Sequence, residues 1–216
     1  SFFFFSMQYY QTPFSDECLA EWWEVFCISV SMLGLIIRSA TIGYTPKGTS
    51  GRNTKKQVAD TINTKGIYSV VRHPLYLGNF FMILGIALFS FIWWLVIIYI
   101  LSFWIYYERI MYAEESFLRH KFKDSFLNWS QNTNAFIPSL KNYQKSDMEF
   151  SFKNILKREY HGFFAIIISF YIFRIMGQFI VSPNEFTYIP NLRWKFLLLF
   201  GCSIWLICRI LKKTTN

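Results

Sequence analysis

The run from Leu75 to Tyr107 holds 33 residues without a single charge. As one straight helix it would extend about 50 Å, well past a hydrocarbon core of about 30 Å. Such a run either tilts steeply or folds back on itself, and the flanking charges decide between the two. Seven basic residues lie between Arg38 and Arg72 against one acid, Asp60, and nine more lie between Arg109 and Arg158. Basic residues concentrate in the cytosolic loops of membrane proteins, so both ends of the run belong on one side. The reading is a hairpin of two short helices turning near Ser90.

The rest of the chain fits around that hairpin. Leu19 to Ile37 is apolar apart from Glu21 and Glu24 and forms a first span; Phe163 to Val181 and Phe196 to Ile210 form two more, separated by a short loop with Pro183 and Pro190. Residues 38–65 read as a polar, turn-rich cytosolic loop, residues 108–128 as a separate amphipathic helix, and Ser139 to Ser151 as a polar linker. The expected fold is therefore all-α: a polytopic integral membrane protein of about five transmembrane helices, including the short hairpin, plus the cytosolic amphipathic helix. Residues 1–140 form a core, and residues 141–216 a linker with a two-helix membrane extension. Ser1, followed by Phe2 to Phe5, reads as the tail of a truncated or processed segment and not as a signal peptide, since no basic region precedes it.

With 53% hydrophobic and 21% aromatic residues, the chain carries more apolar surface than a soluble core needs, and the surplus must face lipid. The net charge of +9 lies between the apolar runs and not along one polar face, which points to membrane loops and excludes nucleic acid as the expected partner. Cys18, Cys27, Cys202 and Cys208 form no CxxC pair and no metal-ligand spacing with a histidine, so no metal site is expected. Oligomeric state is not legible.

Chemistry concentrates in Gly66-Ile-Tyr-Ser-Val-Val-Arg-His-Pro-Leu-Tyr-Leu-Gly78. Pro74 disfavours helix at His73 and suits a first helical position, so a helix should begin at or just after Pro74. Arg72 and His73 then sit at a helix N-terminus, where free N–H groups and the positive dipole end favour an anionic ligand group. Individually these residues have ordinary roles: Arg72 as a snorkelling anchor, His73 as a packed histidine, Tyr68 and Tyr76 as interfacial aromatics. Glu114 and Glu115 are the second cluster. Arg119, four residues on, accounts for Glu115 as a surface ion pair, whereas Glu114 faces Leu118 and needs another partner. Arg174 and Gln178, one turn apart inside a span, either line a substrate groove or pair with a neighbouring helix or a phosphate.

The Arg-His-Pro-x-Tyr of Arg72 to Tyr76, the Glu114-Glu115 pair and the closing Phe136-Ile137-Pro138 resemble the isoprenylcysteine carboxyl methyltransferase and phospholipid methyltransferase family of integral membrane enzymes, over about residues 60–140. The resemblance implies an S-adenosylmethionine site at the cytosolic membrane face, with Gly66, Tyr68, Arg72, His73, Pro74, Tyr76, Gly78, Glu114 and Glu115 as cofactor-pocket residues. It also implies methyl transfer to a lipid or lipid-modified acceptor drawn from the bilayer. Arg72 and Glu108 are the candidates for direct catalytic roles, Glu108 as a base only if the acceptor is an amine. Two features depart from the family pattern: Tyr112-Ala113 stands where the carboxyl methyltransferases tend to have an arginine before Glu114, and residues 150–216 add two spans. Two rival readings stay open: an NADPH-dependent membrane reductase of the sterol-reductase type, and a small transporter or assembly protein without enzymatic activity.

Overall fold

A computed structural model describes residues 16–45, 61–181 and 192–214. Among these all regular structure is helical: α1 (Glu17–Gly43), a 3-10 turn (Gly66–Ser69), α2 (Pro74–Phe89), α3 (Trp93–Asn132), a second 3-10 turn (Leu140–Asn142), α4 (Phe152–Val181) and α5 (Leu192–Thr214). Four of the five helices, α2 being the exception, are long and apolar enough to cross a membrane. The all-α polytopic architecture expected from the sequence is the one observed.

The uncharged run does fold back at Ser90. Ser90 Oγ donates to Ala87 O and accepts from Ile92 N at 3.3 Å, closing α2, and Phe91 takes a positive φ of 56° at the tip. α3 returns antiparallel, with Tyr99 Oη donating to Phe80 O at 2.8 Å and Phe103 packed edge-on against Phe80. The expectation of two short arms followed by a separate amphipathic helix is corrected: the second arm runs without a break from Trp93 into residues 108–128, and helical backbone is interrupted only at Lys123. No proline or glycine stands between Trp93 and Asn132 to stop it.

α1 and α2 lie unusually close. Cβ atoms built on Gly34 and Gly85 would overlap backbone of the facing helix, and Ser31 Oγ donates to Met82 O at 2.7 Å. Between membrane helices there is little hydrophobic drive to associate, so close backbone approach and polar bonds carry the packing. α1 also continues to Gly43, beyond the expected loop start at residue 38, and most of that loop, residues 46–60, lies outside the described residues. The segment from Pro183 to Pro190 does as well.

α4 runs antiparallel to α1 and is tied to it at three depths. Ser151 N donates to Gly43 O at 2.8 Å, Arg38 meets Glu159 near the same end, and Arg174 Nη1 donates to Glu24 Oε1 at 2.6 Å near the other. Arg174 thus pairs with a neighbouring helix; the side chain of Gln178 lies outside the described residues. α5 packs on α4, and Arg193 reaches Glu21 at 2.8 Å. Glu24 and Arg38 are separated by about 20 Å along α1, so the two polar layers bracket an apolar slab filled by Cys27, Leu35, Phe89, Ile166, Phe170 and Trp194.

The two kinds of glycine contact give different mutational outcomes. At Gly85 an added methyl meets Cys27 O and the Ser31 backbone, whereas at Gly201 it meets only the Ile167 side chain. Gly85→Ala should lower stability by about 1–3 kcal/mol through overpacking. Gly201→Ala should stay within about 0.5 kcal/mol, because Ile167 can yield and alanine favours helix. Thermal unfolding in detergent checks both; equal effects would mean that the α1–α2 approach is not tight.

Candidate functional site

The stretch from Gly66 to His73 is held from beneath by the segment following α3. Gly66 adopts φ +62°, a conformation that side chains rarely take, and its N–H donates to Gln144 O at 2.9 Å. Arg72 N donates to Asn134 O at 2.9 Å, His73 N to Ala135 O at 3.2 Å, and Ser139 N to Val70 O at 3.0 Å. These bonds lay residues 70–73 alongside residues 134–139, with Phe136-Ile137-Pro138 at the turn. The backbone N–H groups of Arg72 and His73, expected to be free for an anion, are therefore occupied. α2 begins at Pro74, as expected from the sequence.

Glu114 and Glu115 of α3 both face this loop. His73 is buried, and its Nε2 lies 2.9 Å from Glu115 Oε1. A carboxylate only accepts, so Nε2 carries the proton of that bond. The other ring nitrogen, Nδ1, lies 3.7 Å from Glu114 Oε2, and Tyr76 Oη donates to the same oxygen at 2.9 Å. The His73 and Tyr76 rings stack at 5.5 Å, and Tyr107 packs on Tyr76 at 5.0 Å. The expected Glu115–Arg119 surface pair is corrected. Glu115 turns inward to His73 and to Arg72 Nε at 3.0 Å, while the Arg119 guanidinium lies over the Phe126 ring. A partner buried in the loop outcompetes a solvated one on the same helix, because the attraction is screened less away from water.

Arg72 anchors more than it exposes. Its Nη1 donates to Ser130 O at 2.6 Å and Thr133 O at 3.1 Å, fastening the end of α3 to the loop. Its buried Nε approaches Glu115 closely enough for an ion pair but without hydrogen-bond geometry, leaving an unsatisfied donor in the site. Tyr68 accepts from Trp129 Nε1 through its carbonyl at 2.9 Å. Burial, and the nearby Glu114 carboxylate, push the Tyr68 hydroxyl above the ordinary phenol range, against a hydrogen bond shared with Thr45, so the group stays protonated.

The structure thus brings together Tyr68, Arg72, His73, Tyr76, Glu114 and Glu115, with Gly66 and Pro74 shaping the loop. Gly78 faces α1 instead, where an added Cβ would strike the stem of Arg38. Glu108 is exposed on α3 and meets none of the other candidates. Four residues escaped the sequence reading. Arg38 donates from Nε and Nη2 to Glu159 at 2.8 and 2.7 Å and from Nη1 to Asn79 Oδ1 at 2.6 Å, and Asn79 Nδ2 donates to Tyr107 Oη at 3.0 Å. The available signal was a charged residue late in an otherwise apolar span, a position that calls for a partner.

The fold and this cluster define a polytopic helical membrane protein with a buried His–carboxylate–tyrosine site at one end of the bundle. Residues 25–125 match the phospholipid methyltransferase family model, which is the family read from the motifs. Among curated proteins the chain is 30% identical over 125 residues to the cobalt-zinc-cadmium resistance protein CzcN of Cupriavidus metallidurans, covering 57% of this chain and 54% of that protein. It is 32% identical over 121 residues to the nickel-cobalt-cadmium resistance protein NccN of Alcaligenes xylosoxydans xylosoxydans, covering 55% and 53%. It is 26% identical over 129 residues to the protein-S-isoprenylcysteine O-methyltransferase of Tribolium castaneum, covering 57% and 44%. The chain spans about half the length of the curated relatives it matches. No solved structure gives a significant match. Among the described residues no group of three or more His, Cys, Asp or Glu could hold a metal ion.

The geometry separates the two carboxylates experimentally. Glu115→Gln should weaken the contacts to Arg72 and His73 and lower stability by about 1–3 kcal/mol. Glu114→Gln keeps an acceptor for Tyr76 and should cost under about 1 kcal/mol. Thermal unfolding of the ligand-free protein measures the difference; a larger loss at Glu114 would reverse the assignment.

Proposed function

We propose that this chain transfers a methyl group from S-adenosylmethionine to a lipid or lipid-modified acceptor, with the site open to the cytosol. The observation that carries the reading is the pairing of a committed carboxylate with an uncommitted one. Glu115 is engaged by Arg72 and His73, whereas both contacts of Glu114 fall on Oε2, leaving Oε1 without a partner among the described residues. The residues fit the methyl donor. Glu114 can accept from ribose hydroxyls or an ammonium group, and the Tyr76 face suits a cationic or aromatic moiety.

When bound, the donor supplies an electrophilic methyl group on a sulfonium whose leaving group is a neutral thioether. The protein's part is positioning and exclusion of water. Arg72 holds the loop to α3, His73 fixes Glu115 relative to α2, and Tyr76 orients Glu114. A carboxylate or phosphate acceptor is nucleophilic as it stands. An amine acceptor must first lose a proton, for which exposed Glu108 is the candidate base. The cytosolic placement is supported by the basic residues Lys65, Arg72 and Arg109 near the site end of the bundle. The full activity of the longer relatives, including any role in metal resistance, belongs to this same proposal only as far as methyl transfer.

Titration of the detergent-purified protein tests the reading. S-adenosylmethionine and its demethylated product should raise the unfolding temperature and NADPH should not, since a ligand stabilises the state that it binds. His73→Ala and Tyr76→Ala should each weaken binding about tenfold or more, the equivalent of losing one charge-assisted contact. Stabilisation by NADPH alone would favour the reductase, and no stabilisation by either ligand would defeat both enzymatic readings.

A further inference from the structure

Arg38, Asn79 and Glu159 lie outside the site, yet they fix the polarity of a hydrogen bond inside it. The Arg38 guanidinium carries only donors, so the atom of Asn79 facing it at 2.6 Å must be the amide oxygen. The amide nitrogen then has to point the other way, towards Tyr107 Oη at 3.0 Å, as donor. Glu159 locks this orientation by holding Arg38 through two bonds, with side-chain exposures of 11% and 4%. Tyr107 Oη is consequently the acceptor of the Asn79 bond, and its own proton remains to be donated. Among the described residues that proton is donated to no partner: Tyr107 otherwise packs on the rings of Phe103, Tyr76 and Tyr106, and the hydroxyls of Tyr76 and Tyr99 are themselves donors, to Glu114 and to Phe80 O.

The position of this donor is also defined. Tyr107 precedes Glu114 by two helical turns, about 10 Å farther from the cytosolic end of α3. It is half-buried beside Trp104, Ile105 and Tyr106, which are 49%, 60% and 63% exposed on the lipid-facing surface. An acceptor arriving from the bilayer meets Tyr107 before it reaches Glu114. A hydroxyl whose lone pair is taken by Asn79 selects an oxygen acceptor over a protonated amine, which offers donors only.

Building on the methyltransferase reading, we infer that Tyr107 is a specificity residue that donates a hydrogen bond to a phosphate or carboxylate oxygen of the lipid acceptor, and that Arg38, Asn79 and Glu159 are positioning residues that hold it in the donor role.

Two conservative substitutions test this. Tyr107→Phe keeps the ring contacts and removes the proton. Asn79→Asp keeps the contact to Arg38 but places a carboxylate oxygen against Tyr107, which captures the proton. Each should raise the acceptor KM about tenfold or more while leaving S-adenosylmethionine affinity within about twofold, and the double variant should be no worse than either alone. The probes are vesicles containing phosphatidylethanolamine, which present a phosphate, and farnesylated cysteine, which presents a carboxylate; the one that wild-type protein methylates identifies the source of the oxygen. A merely structural relay would lower the unfolding temperature and leave KM unchanged, and an unchanged KM in Tyr107→Phe overturns the inference. So does donor affinity falling in step with KM, or a wild-type protein that binds the donor yet methylates neither probe. A wild-type protein that binds no donor at all overturns the underlying methyltransferase reading, a distinguishable result.

Discussion

The ion pair between Arg38 on α1 and Glu159 on α4 is the contact on which the rest of the bundle depends. Both groups are nearly desolvated, and an isolated charge at such a site would be strongly unfavourable. Two parallel bonds satisfy the carboxylate and leave one guanidinium nitrogen for Asn79, so no charged atom is stranded. The rotation of α4 about α1 follows from that fork. So does the need for Gly78, because the stem of Arg38 crosses α2 where any side chain would collide with it. A breach of the pair would cost on the order of 3–5 kcal/mol, comparable to much of a small domain's stability.

The parts of this fold that the sequence disclosed are those governed by local rules. A charge-free run too long for one crossing, flanked by basic residues at both ends, leaves few solutions, and the hairpin at Ser90 is one of them. Pro74 marks the start of α2 because its ring constrains its own φ and the residue before it. What escaped depends on partners distant in sequence. Arg38 looks like the first residue of a basic loop until Glu159, 121 positions on, is placed opposite it. Glu115 has a suitable partner at Arg119 under the rule for successive helical turns, and only the folded loop reveals a better one in Arg72 and His73. The continuity of α3 was legible in the absence of any breaker; the change from uniformly apolar to amphipathic pattern reflects the helix leaving the membrane, not ending.

Adjacent residues on a helix point about 100° apart, so Glu114 and Glu115 cannot both face one flat surface. His73 resolves this by presenting its two ring nitrogens to the two carboxylates, one at 2.9 Å and one at 3.7 Å. The close contact immobilises Glu115, and the distant one leaves Glu114 held mainly by Tyr76. A single buried imidazole thus sorts two identical side chains into a fastening and an open position. The stacking of His73 on Tyr76 extends the arrangement to α2 and, through Tyr107, to the membrane-facing part of α3.

The segment matched by the family model contains the side chains of this cluster, from Tyr68 to Glu115, but not the groups that hold them in place. The acceptors for the Arg72 and His73 backbone lie at Asn134 and Ala135, the acceptor for Gly66 at Gln144, and the counter-ion of Arg38 at Glu159. A chain ending at residue 125 would leave three backbone donors of the loop unpaired and one guanidinium uncompensated inside the bundle. The site chemistry and its frame are therefore contributed by different stretches of the sequence. Residues beyond the motif set the geometry within which the motif acts, and α4 reaches the site through Arg38 and Asn79 without touching it.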